Sequence, residues 1–369
     1  MKQPPRSHRR DFLVGRAAAK AAEAIGQRNE PADGDATEPN VTAQEDQFLL
    51  EFSRKAMACN FEVLLPPEGT EIGPERAVEA LDFLDEIEDC WSVYRDHSMM
   101  SRVNRLAAEQ PVAVDDDLFA LLQLGLELFG KTDGAFDMTS GPLTRAWGFF
   151  RREGKLPSTE DLNRAIAVVD SRYVELDPKA QTIHYGKEGI EINLGGIGKG
   201  YALDLCVDRM TWGGASDFLF HGGQSSVVAR GKRLPQETGP DAAWRVGVVH
   251  PVWPGKRLLD VTLEQQALGT SGTSRQHFYQ DGKRYGHIFD PRTGRPAEGI
   301  YSSTVIAPTA AEADALATAF YVMGVEASMN FCERYPQYIA ILTTPGKSRS
   351  EICVHTVNLP DEKWRRHME

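Results

Sequence analysis

The chain has 369 residues, 41% hydrophobic and 25% charged, a globular composition long enough for one large domain with decorations. Its formal net charge of −12 argues against a surface built to neutralise nucleic-acid phosphates. No stretch approaches the about 18 uninterrupted apolar residues of a membrane span, and Cys59, Cys90, Cys206, Cys332 and Cys353 show neither disulfide-framework nor zinc-ligand spacing.

The first 47 residues are expected to stand apart from a single folded domain spanning residues 48–360. His8-Arg9-Arg10-Asp11-Phe12-Leu13 resembles a twin-arginine export signal, but Arg16 and Lys20 interrupt the apolar run such a signal needs. A degenerate signal or a basic helix is the reading, with a cytoplasmic location favoured over export. Residues 27–47 are rich in Glu, Asp, Pro, Asn and Thr, lack the apolar surface to order themselves, and read as a linker.

Within the domain, Phe61–Leu65 reads as a strand stopped by Pro66-Pro67. Pro74 suits a helix first turn, and Val78, Leu81, Leu84, Ile87 and Trp91 follow at helical spacing. A second helix is predicted after Asp115, with Leu118, Leu121, Leu122, Leu126 and Phe129 buried, and a third after Ser158. Strand-like runs recur at Gly189–Leu194, Phe218–Phe220, Val246–Val249, Tyr301–Ala307 and Tyr338–Leu342. Strands and helices mixed without regular βαβ alternation predict an α+β domain.

Four glycine-rich or polar blocks interrupt this pattern: Asp133–Asp137 with Gly141-Pro142-Leu143, Asn193–Tyr201, His221–Gln224 and Gly269–Gly272. Glycine lets a backbone approach a ligand closely. The second block runs into an amphipathic stretch, Tyr201–Val207, where free backbone N–H groups beside Lys199 would favour a phosphate. Thr309 and Glu312 form a capping box ahead of an alanine-rich helix that Gly324 is expected to stop. Asp314 and Thr318 lie four apart, on one face. A carboxylate and a hydroxyl so placed, joined by a carbonyl from a glycine loop, make a hard oxygen site suited to Mg²⁺. Tyr285–Gly294 reads as a strand ending in an Asp-Pro turn, with His287 a candidate acid or base.

Taken in order, these blocks resemble the flavin transferase family known as ApbE. The resemblance rests on Met57; Trp91–Tyr94 with Ser98 and Asn104; Gly134–Asp137 with Gly141–Leu143; Gly195–Tyr201; Gly222-Gly223; Thr270–Gly272; His287–Gly294; and Ala313–Thr318. It covers about residues 50–345. The chain departs from the family pattern at Ala58-Cys59, at Gln224 and across Thr273–His277.

The resemblance implies a T-fold-like α+β domain of mixed sheets packed with helices, binding FAD as substrate in an elongated cleft with Mg²⁺ at its pyrophosphate. Metal ligands would come from Asp314, Thr318 and Gly196, with Ala317 as a further carbonyl. FAD would contact Met57, Tyr94, Ala135, Phe136, Asp137, Asn193, Lys199 and Ile288. His287 would assist an acceptor hydroxyl, and Asp290 would orient His287. The implied reaction transfers FMN to a Thr or Ser of an acceptor protein, such as a redox subunit, with release of AMP. An FAD pyrophosphatase using water and a non-catalytic FAD-binding assembly protein are the alternatives.

Overall fold

The computed structural model describes residues 48–367, apart from positions 68–71, 238, 240–241, 254, 274–275 and 349–350. The twin-arginine-like stretch and the linker expected before residue 48 lie outside the described residues.

The frame is an antiparallel sheet of eight strands whose order in space is their order along the chain. They are β1 (Leu50–Ala56), β2 (Cys59–Leu65), β3 (Phe218–Gly222), β4 (Ser226–Arg230), β5 (Ala267–Gly272), β6 (Ser302–Ala307), β7 (Ile339–Pro345) and β8 (Ile352–Val357). Side chains alternate across a strand, and here both faces are covered. Phe218, Phe220, Val228, Val305, Ala307, Ala340 and Leu342 enter one apolar cluster. Leu219, Val227, Ala229, Ile306, Ile339 and Ile341 enter another.

Five of the seven helices among the described residues cover the first face. In chain order the seven are α1 (Gly73–Trp91), α2 (Met99–Leu106), α3 (Asp116–Lys131), α4 (Gly141–Ala146), α5 (Thr159–Ile166), α6 (Gly198–Trp212) and α7 (Ala310–Arg334). Apolar residues of α1, α2, α3, α6 and α7 share the first cluster. A three-stranded sheet, Trp244–Val249, Arg257–Leu263 and Trp364–Arg366, covers the second face through Trp244, Leu259 and Val261. The α+β expectation holds. No helix among the described residues is long and apolar enough to cross a membrane.

The expected helices form where their caps stand. Asp115 accepts from Leu118 N at 2.7 Å, and Ser158 accepts from Asp161 N at 3.0 Å. Val78, expected on the buried side of α1, is 39% exposed instead. The run Gly189–Leu194 is not a named strand. Glu191 makes only an isolated bridge to Ser140, and the Asn104 side chain takes the place of a neighbouring strand. Its amide donates to Ile192 O and accepts from Ile192 N, both at 2.9 Å, satisfying the backbone as a ladder would. Gly324 interrupts α7 as expected: the backbone leaves helical geometry there at φ 80°, ψ −178°, and a second helical stretch follows to Arg334. The folded unit also passes residue 360, since Trp364–Arg366 pairs with Arg257–Leu263.

Candidate active site

Three elements meet where the most chemical-looking residues lie: the start of α7, the start of α6 and the start of β4. Two glycines allow the approach. A Cβ on Gly200 would sit 2.1 Å from Ala310 O, and one on Gly269 would sit 2.5 Å from Ala313 C and O. Only residues without side chains let α6 and β5 lie against α7 this closely. Thr309 caps α7 by accepting from Glu312 N at 3.2 Å. The half-buried Asp204 of α6 adds a second cap, accepting from Ala310 N at 2.8 Å and Ala311 N at 2.9 Å.

The Asp314 side chain is only 7% exposed. Burial raises its pKa above the usual carboxylate range, opposed by Lys199, by the Ser226 hydroxyl and by the Gly200 N–H. Ser226 Oγ lies 2.7 Å from Asp314 Oδ1 and 2.9 Å from Oδ2. Lys199 Nζ donates to Ser225 Oγ and Ser226 Oγ, both at 2.8 Å, and stands 3.6 Å from Asp314 Oδ2.

One turn further along α7, Thr318 Oγ1 donates to Asp314 O at 3.2 Å and lies 3.0 Å from Ser271 Oγ of β5. Gly196 faces it: a Cβ there would lie 3.6 Å from Thr318 Oγ1 and 3.2 Å from Phe136. The structure thus brings Asp314, Thr318, Gly196, Phe136 and Lys199 together across widely separated sequence positions. Ala317 is fully buried beside Thr318. No cluster of three His, Cys, Asp or Glu occurs among the described residues. The donors brought together here are instead one carboxylate and hydroxyls. All are hard oxygens, and this set fits Mg²⁺.

The other expected residues surround this centre in different ways. Asp137 is buried and spends its carboxylate on the protein, accepting from Thr139 N, Thr139 Oγ1, Ser171 N and Ser171 Oγ at 2.6–3.2 Å. Burial raises its pKa against those donors. Its side chain therefore shapes the loop that carries the buried Ala135 and Phe136. Asn193 accepts from Gly195 N at 2.9 Å and starts the turn that leads to Gly196. Met57, with φ 48°, and Ala58, with φ 59°, form the two-residue turn joining β1 to β2, a left-handed conformation that neither side chain favours. Tyr94 is 63% exposed and packs on Phe150, whose other neighbour is the Arg145 guanidinium at 3.7 Å.

His287 lies just past the hairpin strand Lys283–Gly286. Its Nδ1 is 3.1 Å from Gln276 O. A carbonyl only accepts, so Nδ1 carries the hydrogen and Nε2 keeps a free lone pair. Burial lowers the imidazole pKa, with the Gln276 carbonyl opposing, and favours the neutral ring. Phe149 packs beside it at 6.2 Å. Asp290 does not orient His287. Its carboxylate accepts from Arg292 N, Nε and an Nη at 2.8–3.0 Å and closes the Asp-Pro turn. The Gln276 carbonyl has the orienting place instead, as the acceptor from Nδ1. Ile288 is buried in a small apolar cluster with Ile300 and Tyr321.

Sequence reasoning missed Ser225, Ser226 and Asp204 as site residues. The two serines follow the Gly222-Gly223-Gln224 turn directly, so proximity to a glycine block was a usable signal. Asp204 was absorbed into an amphipathic stretch, and its partners at Ala310 and Ala311 lie 106 and 107 positions away.

The ApbE family model matches residues 57–342. The chain is 32% identical over 270 residues to a FAD:protein FMN transferase of Vibrio cholerae, covering 71% of this chain and 78% of that protein. It is 29% identical over 330 residues to a FAD:protein FMN transferase of Escherichia coli K12, covering 87% and 89%. Among solved structures, an ApbE protein of Thermotoga maritima superposes with a TM-score of 0.75 at 26% identity, over 84% of this chain and 97% of that one. The flavinyl transferase ApbE of Pseudomonas stutzeri superposes at 0.72 and 27% identity, over 84% and 95%. By its sequence model, its relatives and its fold, the chain belongs to the ApbE family.

Proposed function

We propose that this protein is a Mg²⁺-dependent FAD:protein FMN transferase. It attaches FMN through a phosphoester to a Thr or Ser of an acceptor protein and releases AMP. The observation that carries the reading is the meeting of Asp314, Thr318 and Gly196 with Lys199 at the start of α6, in a chain whose relatives bear that activity by name.

Asp314, Thr318 and the carbonyls of Gly196 and Ala317 would hold the metal. Bound there, Mg²⁺ supplies charge neutralisation at the pyrophosphate. Lys199 and the N–H groups opening α6 bind and orient the phosphates, and the neutral Nε2 of His287 takes the proton of the acceptor hydroxyl. The hydroxyl oxygen bonds to the FMN phosphorus while the bond from that phosphorus to the bridging oxygen breaks, and AMP departs with that oxygen. Most of such catalysis is positioning and electrostatics, which suits a site on sheet and helix ends.

The test is intact-mass analysis of purified protein, FAD, Mg²⁺ and an acceptor carrying a Thr/Ser segment, with AMP measured in the same samples. One FMN added per acceptor with matching AMP, abolished by chelator, is expected. FMN and AMP released by water with the acceptor unlabelled would show a pyrophosphatase instead. FAD binding without AMP would leave a carrier.

A further inference from the structure

Resting on that reading, we propose that Ser225 and Ser226 form a clamp that holds the Lys199 ammonium off the Asp314 carboxylate. The clamp leaves the carboxylate available to a divalent cation and the ammonium to a phosphate.

Donor counting drives the argument. An ammonium only donates, so Ser226 Oγ accepts from Lys199 at 2.8 Å and directs its single proton to Asp314, 2.7 and 2.9 Å away. Ser225 Oγ accepts a second Lys199 proton at 2.8 Å. Two of the three ammonium protons are thereby committed, at a side chain still 26% exposed. A direct charge-assisted bond would bring Nζ to about 2.7–2.9 Å of the carboxylate. The separation is 3.6 Å, an ion pair longer than such a bond, with the Ser226 hydroxyl bridging the two charges.

Without the hydroxyl, Coulomb attraction in this buried setting would draw Lys199 onto Asp314. A cation would then have to displace an ammonium before it could bind. The clamp is fixed by the sheet and not by a mobile side chain. Ser226 opens β4 and is fully buried, while Thr270 N donates to Ser225 O at 2.7 Å from β5. Ser226 is therefore a positioning residue, acting through Asp314 and Lys199.

The test measures Mn²⁺ binding to the FAD-free protein by electron paramagnetic resonance, FAD binding by fluorescence, and thermal unfolding. Ser226→Ala is expected to weaken Mn²⁺ binding by about tenfold or more through the direct ion pair. Adding Lys199→Met to it removes the competitor and is expected to restore most of the Mn²⁺ affinity. A merely structural serine predicts a double variant no better than the single one, and that result overturns the clamp. Ser225→Ala is expected to weaken FAD binding by about fivefold with Mn²⁺ affinity within about twofold. Should Ser226→Ala fail to fold, unchanged FAD affinity in Ser225→Ala overturns the proposal. Wild-type protein that binds Mn²⁺ and transfers FMN, with Ser226→Ala indistinguishable from it, defeats the clamp alone. Wild-type protein that binds neither Mn²⁺ nor FAD defeats the functional reading as well.

Discussion

Asp314 brings a carboxylate to a place where only 7% of its side chain meets solvent, and its surroundings compensate only in part. Lys199, Ser226 and the Gly200 N–H all favour the ionised form, yet burial outweighs them and raises the pKa. A charge held at that cost fits a cation-binding role better than a stabilising one. Asp314→Asn, which keeps the shape, is expected to lower metal-dependent FMN transfer by about 10²-fold or more. The melting temperature should stay level or rise. Near-normal turnover at saturating Mg²⁺ would refute the role. Asp204 shows the same physics with a readable pH window. Burial raises its pKa from 3.8 to about 7, against donation from Ala310 and Ala311 and the nearby Arg230. Below the unfolded value both states hold the proton. Between that value and about 7 only the folded state does, so the stability it contributes is lost as pH rises through this range. Asp204→Asn does not titrate there. Its destabilisation in urea unfolding is therefore expected to be largest near pH 5 and to narrow toward pH 8; a gap that widens would contradict the assignment.

At the scale of the element, α7 depends on two glycines for different reasons. Gly269 of β5 is required for space, since an added Cβ would meet the Ala313 backbone at 2.5 Å. Gly269→Ala is expected to cost about 3 kcal/mol in chemical denaturation and to depress FMN transfer by moving Asp314. Gly324 has nothing within 4 Å of an added Cβ, but its backbone, at φ 80° and ψ −178°, belongs to glycine alone. Gly324→Ala is expected to cost about 1–3 kcal/mol while leaving transfer intact at permissive temperature, because Asp314 and Thr318 precede the bend. The capped helices were legible in the sequence because Asp115, Ser158 and Thr309 act within three residues of themselves. The Asp314–Thr318 pair was legible from its helical spacing. The misread run before Asn193 failed because its partner is a side chain, Asn104, lying 88 positions away from Ile192. Edge strand β1 escaped notice because Glu51, Ser53 and Lys55 face solvent and dilute its apolar pattern. Ser226 and Asp204 act across 88 and 106 positions, beyond any local pattern.

At the scale of the whole molecule, the eight strands follow one another in space as in sequence, yet the spacing between them is uneven. β3 follows β2 only after α1 through α6 have been inserted, although Phe61 pairs with Gly222 and Leu64 with Leu219. Every other neighbouring pair in the sheet closes over a shorter stretch of chain. The β1–β2 hairpin is therefore a local structure whose partner is remote, and an isolated two-stranded hairpin is at best marginal in water. On a ribosome adding about 5–20 residues per second, the segment ending at β2 would wait roughly 8–30 s before the strand that completes its register exists. During that wait it is an open edge for whatever it meets. Stalled nascent chains ending before Phe218 are accordingly expected to be cleaved readily within residues 50–65. Chains extended past Gly272 should resist the same protease, and equal resistance in both would show that the hairpin secures itself early.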